Sequence, residues 1–394
     1  MLDDIVIATV SRTHRKFPQT IAETAGQRED VLSIMMPQKF SSNEFCPKYN
    51  VDVKGKRVYL IATQGPFQNP QEMSMRIALA ASAAKEHDAK HVTVIATDLP
   101  FSRQDRGNKD DPKMKGQPCS AEVQAKIFYN CGVDRVLTIH LHSKKLYDIY
   151  SKVYGKDGRD VLYGLTPDFL IAHYLKFKSG LNMDPEGKDL VFVAIDKGIE
   201  QFITKVKDMM GVPGAGLMTF EKIRKTPNKS DSVSVEGIKN YNITTLENKK
   251  ILILDDIWDT CGTMESFCNW LKYIYPKQSG SLGQPKEFYM YATHPVFAGN
   301  AYMEKQRVLA EIGAKEYICT NTRPYIAYEN DYLFEEKATI LCIEKLLGNA
   351  IINCCEKNKH PDDYYKIKSV DELQKKGDKL YSIRRSERHP LEKE

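Results

Sequence analysis

The sequence predicts an α/β protein built from two mainly parallel sheets, each flanked by helices. Three observations carry this expectation. Short β-branched runs recur along the chain, and segments with apolar residues at helical spacing lie between them. The runs also fall into two sets, one from the N-terminus to about position 150 and one from about 160 to 325.

In chain order the expected strands are Ile5–Val10, Arg57–Ala62, His91–Thr97, Arg135–His140, Leu190–Ile195, Lys250–Leu254, Phe288–Ala292 and Glu316–Thr320. The clearest helical patterns are Pro70–Lys85, Ala121–Cys131 and Met264–Tyr275. Gly107–Gly116 reads as a charged loop and Pro276–Pro285 as a surface insertion, each marked by Gly and Pro. After Cys355 the chain is highly charged with few apolar residues, which suits an appended helix or a partly disordered tail. With 394 residues and roughly 100–200 per domain, the expected division is 1–155, 156–350 and a charged extension at 351–394.

Composition narrows the function class. The net charge of +5 comes from 57 basic and 52 acidic residues, without a dense basic block. That surplus fits the handling of phosphates and gives no ground for a nucleic-acid or membrane partner. No window holds the roughly 18 apolar residues of a membrane span, and the N-terminus lacks a signal-peptide pattern. The nine cysteines are scattered without a C-x-x-C pair, as expected of reduced thiols in a cytoplasmic protein.

Ligands in parallel sheets sit at the carboxyl ends of strands, so the residues just after each strand carry the chemistry. The most informative stretch is ILILDDIWDTCGT. An apolar strand runs into Asp255 and Asp256; Asp259, Thr260, Cys261, Gly262 and Thr263 follow, and then a helical pattern. Backbone N–H groups of a small-residue loop at a helix N-terminus attract phosphate. Paired carboxylates accept hydrogen bonds from sugar hydroxyls and bind Mg²⁺. A simple helix cap would explain one of these acids and leave the others unexplained.

This stretch resembles the signature for 5-phosphoribosyl 1-diphosphate (PRPP) shared by type I phosphoribosyltransferases and PRPP synthetases. Further segments point to the ribose-phosphate diphosphokinase (PRPP synthetase) family. DLPFSRQDRG resembles its A-R-Q-D motif, with Ser102 in place of Ala. RVLTIHLHS resembles its D-L-H motif, with His140 where the family has Asp, and LVFVAIDKGIE resembles its S-P-D-x-G-G segment. QKFSSNEF is similar to the segment that reaches the adenine of a neighbouring subunit, and FEKIRK to the mobile catalytic loop. The resemblance spans about positions 1–350 in a consistent order.

The resemblance implies two phosphoribosyltransferase-like (type I) domains and a Mg²⁺-dependent reaction of ATP with ribose 5-phosphate to give AMP and PRPP. It assigns Phe40, Ser42, Glu44, Arg103, Gln104 and His142 to ATP. Ribose 5-phosphate falls to Asp196, Asp255, Asp256 and the run Thr260, Cys261, Gly262, Thr263. The metal falls to His142 and Asp196, and catalysis to Lys222, Arg224 and Asp259. A homo-oligomer with the adenine site at a subunit interface is implied as well. H-x-H on a strand would put both rings on one face, so a zinc site at His140 and His142 stands as an alternative, although no third ligand is evident.

The family's separate phosphate and ADP site is lined by Ser and Arg. Here Asp52, Lys54 and Asp88 occupy matching positions. Added carboxylates repel a phosphate ion, so activity independent of inorganic phosphate is expected. Two competing readings are an inactive or regulatory homologue, which His140, Ser42 and Ile199 keep open, and a transferase that consumes PRPP.

Overall fold

The computed structural model describes residues 4–10, 16–27, 32–34, 38–42, 44–64, 69–107, 111–224, 233–241, 243, 245–259, 267, 271, 283–297, 313–324, 338–356, 360–361 and 366–385. The chain forms two compact units. The first comprises Met1–Thr166, Thr322–Glu329 and Ile343–Lys366; the second comprises Pro167–Asn321, Asn330–Cys342 and Ile367–Glu394. Among the described residues, no helix is long and apolar enough to cross a membrane.

The first unit is organised by a six-stranded parallel sheet. Its strands are β1 (Ile5–Thr9), β2 (Leu32–Ile34), β5 (Arg57–Ala62), β6 (His91–Ala96), β7 (Arg135–Ile139) and β8 (Leu162–Leu165), in the order β2-β1-β5-β6-β7-β8. Val58–Ala62 and Val92–Ala96 are buried without interruption, as central parallel strands covered on both faces must be. A separate antiparallel pair joins β3 (Gln38–Lys39) to β4 (Phe45–Cys46).

Helix α2 (Pro70–Glu86) begins where Asn69 accepts the Glu72 N–H at 2.7 Å and Pro70 takes the first helical turn. It buries Met73, Ile77, Ala80, Ala81 and Ala84 in the core shared with β5 and β6. Helices α1 (Lys16–Thr24), α3 (Ser120–Asn130) and α4 (Lys145–Tyr154) complete the unit, together with α7 (Glu344–Cys355) from late in the chain. Helices α1 and α7 pack at close range: a Cβ at Gly348 would lie 2.5 Å from Thr24 Cβ and 2.9 Å from the Ile21 carbonyl.

The second unit has an eight-stranded sheet. Its strands are β9 (Leu190–Ala194), β10 (Gly216–Arg224), β11 (Val233–Tyr241), β12 (Lys250–Trp258), β13 (Glu287–Pro295), β14 (Glu316–Thr320), β15 (Ala338–Cys342) and β16 (Ser382–Arg385). The order is β11-β10-β9-β12-β13-β14-β15-β16, parallel except for the antiparallel edge strands β11 and β16. Strand β12 runs four residues past the expected end at Leu254 because Trp258 is buried. Trp258 packs on Phe297 and Tyr317, and its carbonyl accepts the N–H groups of Val296 and Phe297.

Helix α5 (Asp168–Phe177) is buried on nearly every side, between the sheet, α6 (Glu200–Met210) and α8 (Val370–Leu380). Its Tyr174 donates to the buried carboxylate of Glu316, which also accepts from Thr339 at 2.6 Å. In the charged C-terminal segment, the described residues 366–385 hold a helix and an edge strand. Ser369 caps α8 by accepting the Glu372 N–H at 3.2 Å. Gly377 sits against the His173 ring, whose Nδ1 is 2.8 Å from the Tyr381 hydroxyl.

Candidate functional site

In the first unit, the residues assigned to ATP follow β6 and β7. Strand β6 ends at Ala96, and Thr97 and Asp98 remain buried before the chain turns. Phe101 adopts a left-handed backbone with φ of 61°, which a bulky residue rarely does. Ser102 is buried next to it, whereas Arg103 and Gln104 are exposed. Gln104 is held to the start of α3: its carbonyl accepts the Ala121 N–H at 3.1 Å and its side-chain oxygen accepts the Ser120 hydroxyl.

Strand β7 ends at Ile139, and His140 turns out of it with φ of 46°. The expectation that His140 and His142 share one strand face is therefore corrected. His140 is half-buried and His142 exposed. Left-handed geometry is tolerated by Asp, Asn and His, so the backbone accommodates either Asp or His at position 140. Among the described residues, no three His, Cys, Asp or Glu side chains are gathered as a metal cage.

Phe40 and Ser42 stand on the turn between β3 and β4, and Glu44 lies just before β4. The Phe40 N–H donates to the Glu44 carbonyl at 3.3 Å, and Ser42 donates to the Glu44 carboxylate at 2.6 Å. Phe40 is 55% exposed, an aromatic face offered to a flat partner.

In the second unit Asp255 and Asp256 are adjacent within β12, and Asp196 lies just beyond β9. Leu254 of β12 is in register with Ala194 of β9, so Asp255 and Asp196 lie one and two residues beyond that matched pair. Asp255 and Asp256 are still on the strand, although the sequence placed them at its end. The Asp256 N–H donates to Asp255 at 2.9 Å. Burial, then the neighbouring Asp256 carboxylate and further off Asp196, push the Asp255 carboxyl well above the ordinary range. Asp196 is exposed and accepts the Gly198 N–H at 2.9 Å, capping a 3-10 turn over Lys197–Ile199. Asp259 is half-buried one residue past the strand.

Lys222 and Arg224 are not in a loop. Both belong to β10, paired with Val235 and Val233 of β11 after a register shift between Glu221 and Lys222. The resemblance of FEKIRK to a mobile loop gives no sign of this strand, because a basic stretch looks like a solvated loop. Thr260, Cys261, Gly262 and Thr263 lie outside the described residues.

Sequence reading missed one constellation near Arg103. Arg323, in the segment Thr322–Glu329 of the first unit, donates to Asp98 from Nε at 3.1 Å and from Nη2 at 2.6 Å, and to Gln64 at 3.1 Å. The available signal was a polar or charged residue two or three positions past each of three strands: Gln64 after β5, Asp98 after β6 and Arg323 after β14. Their partnership, across 225 and 259 residues, is not written in any local pattern.

Comparison with known proteins bears on the family and the fold. A family model described as the N-terminal domain of ribose phosphate pyrophosphokinase matches residues 6–132, and a phosphoribosyl transferase domain model matches 170–282. The chain is 27% identical over 331 residues to a ribose-phosphate pyrophosphokinase of Aquifex aeolicus, covering 84% of this chain and 90% of that protein. It is 25% identical over 305 residues to ribose-phosphate pyrophosphokinase 2 of Saccharomyces cerevisiae, covering 77% and 83%. The crystal structure of phosphoribosylpyrophosphate synthetase from Mycobacterium smegmatis superposes with a TM-score of 0.68 at 21% identity, covering 90% of this chain and all of that one; this likeness establishes the fold. With the two domain models in succession over more than half its length, and relatives matched along most of theirs, the chain belongs to the ribose-phosphate pyrophosphokinase family.

Proposed function

We propose that this protein is a ribose-phosphate diphosphokinase that transfers the β,γ-diphosphate of ATP to O1 of ribose 5-phosphate, releasing AMP and forming PRPP. The observation that carries the reading is the group of three carboxylates: Asp196 just beyond β9, and Asp255 and Asp256 within β12 beside it. Asp255 and Asp256 accept the ribose 2- and 3-hydroxyls, and the run Thr260–Thr263 receives the 5-phosphate. Crowded carboxylates suit such hydroxyls, which are donors, and also a hard divalent cation, which prefers oxygen ligands.

Mg²⁺ would suit the oxygen of Asp196, an exposed carboxylate beyond β9, and the resemblance adds His142, exposed past β7 in the first unit. When bound, the ion supplies positive charge at the ATP phosphate oxygens. The chain's own residues do the rest. Phe40 stacks on adenine, with Ser42 and Glu44 as its polar neighbours, and Arg103 and Gln104 hold the polyphosphate, a guanidinium fork binding two oxygens at once. The O1 oxygen forms a bond to the β-phosphorus, the bond from that phosphorus to the AMP oxygen breaks, and the O1 proton is lost. Lys222 and Arg224 offset the charge that develops, with Asp259 beside the ribose. The reading includes a homo-oligomer that supplies Phe40 across an interface.

We further infer that inorganic phosphate is dispensable. The Lys54 ammonium lies 3.4 Å from Asp88, and the Lys54 backbone N–H donates to the Asp52 carboxylate at 3.0 Å, so one carboxylate already engages the cation a phosphate would use and a second stands beside it. The test is AMP and PRPP formation from Mg²⁺–ATP, with and without ribose 5-phosphate, in phosphate-free buffer. Ribose-dependent formation of both products is expected. Absence of both, even with phosphate restored, would make the protein an inactive homologue; activity only with phosphate would overturn the second inference alone.

A further inference from the structure

Arg323 sits at the carboxyl ends of β5 and β6 in the first unit, and a set of mutually linked hydrogen bonds places it there. Two of its nitrogens donate to the same Asp98 carboxylate oxygen, and Nη2 also donates to the side-chain oxygen of Gln64. The Gln64 amide then donates back to the Asp98 carbonyl at 3.1 Å. The arginine and aspartate side chains are only 14% and 10% exposed. Beside them, the Thr97 hydroxyl donates to the Thr322 carbonyl at 2.5 Å, so both flanks of the contact are fixed.

What this set holds is the start of the segment that carries Arg103 and Gln104. The segment is anchored at Asp98 by Arg323 and at Gln104 by Ser120 and Ala121. Between the anchors, Phe101 keeps its left-handed backbone, a conformation that persists only where the surroundings over-determine it. If the Asp98 anchor is released, Phe101 can return to an ordinary φ, and Arg103, two residues on, moves with it. Removing the arginine takes two charge-assisted donors from a buried carboxylate, and the local structure relieves that loss by moving.

We propose that Arg323 is a positioning residue for ATP: it acts through Asp98 and Gln64 to hold the 98–104 segment in the form that presents Arg103 and Gln104 to the polyphosphate. The inference rests on the assignment of that segment to ATP made above. It adds a residue that touches neither substrate in this scheme.

The test measures Mg²⁺–ATP affinity by calorimetry on the full chain, together with KM for each substrate. Arg323→Met is expected to weaken ATP binding about tenfold or more and to raise KM for ATP correspondingly, with KM for ribose 5-phosphate within about twofold of the parent. Arg323→Lys is expected to fall between, because one ammonium cannot reproduce the fork that spans Asp98 and Gln64. The double variant Arg323→Met, Asp98→Asn is expected to bind ATP no worse than Arg323→Met alone, as partners in one contact should. Unchanged ATP affinity in Arg323→Met, additive losses in the double variant, or an equal loss for both substrates would each overturn the proposal. If Arg323→Met does not fold, the lysine variant decides by the same two readouts. A parent protein that binds ATP but forms no AMP would refute the proposed reaction and leave the binding test intact.

Discussion

The strand ends of the two units solve opposite electrostatic problems. In the first unit the one buried carboxylate of the candidate segment, Asp98, is matched by a buried guanidinium, and the exposed Arg103 stands outside that pair. In the second, Asp255, Asp256 and Asp196 are brought together, and mutual repulsion adds to burial in raising the Asp255 carboxyl. One end is internally balanced and preset; the other carries negative charge that a cation or donor hydroxyls relieve. Positioning dominates phosphoryl-type transfer, so a preset nucleotide segment and a crowded carboxylate site are a coherent division of labour.

The largest effect that would sharpen this contrast is expected from Asp255→Asn. An amide cannot accept from a hydroxyl at both of its heavy atoms, so turnover should fall by about 10² or more, as for loss of one preorganised catalytic contact. The same change removes a repelled carboxyl, so the variant without Mg²⁺ or substrate should melt about 2–4 °C above the parent at neutral pH, the shift that ~1 kcal/mol produces in a unit of this size. A variant that loses activity and melts lower would refute the idea that the site holds unfavourable charge. The corresponding Asp98→Asn change in the first unit should lower the melting temperature, because it strands a buried guanidinium.

Much of this comparison was legible in the sequence. Arg57–Ala62 and Glu316–Thr320 have the bounds that their β-branched runs imply, and Asp196 follows its strand as its motif implies, whereas Asp255 stays within β12. The illegible parts depend on non-local partners. Nothing near Arg323 announces Asp98, 225 residues away. His140 leaves its strand through a backbone angle, whereas alternation assumes an extended one. The Lys222–Arg224 stretch is basic and looks solvated, yet it forms a ladder with a strand beginning at Val233. The charged tail, which by composition suits either an appended helix or partial disorder, holds a helix whose buried residues, Leu373, Gly377 and Leu380, recur at helical spacing amid lysines.

That tail gives a second way to probe the difference between the units, since it binds the second through a buried histidine. A Cβ at Gly377 would run into the His173 ring, so Gly377→Ala should lower stability by about 1–3 kcal/mol despite alanine's better helix propensity. Burial also holds the His173 imidazole below its ordinary range, partly opposed by Asp378 and reinforced by Lys178, while Tyr381 faces its Nδ1. A histidine whose folded pKa is depressed favours the fold when neutral, and its contribution is lost as pH falls below about 6.5. Proteolysis of the C-terminal segment should therefore accelerate below that pH, and more steeply in the parent than in His173→Phe. Equal acceleration in both would remove His173 from the account.

The smallest expected effect is at Lys54 and Asp88, where both side chains are more than two-thirds exposed. Exposed pairs contribute little to stability, so Asp88→Asn should leave the melting temperature within about 2 °C of the parent. Asparagine is the right substitution because Asp88 has φ of 59°, a left-handed geometry that Asn tolerates and most residues resist. The consequence to measure is the response to phosphate. In the parent, Asp88 competes with any anion for Lys54, and activity should be flat from zero to millimolar phosphate. In Asp88→Asn the competing charge is gone, and phosphate should raise either the melting temperature or the rate in a saturable way. A parent already stimulated by phosphate would show that the exposed pair opens freely to an anion. A flat response in both proteins would show that Lys54 alone does not make an anion site, and that the missing arginines and serines matter more than the added carboxylates.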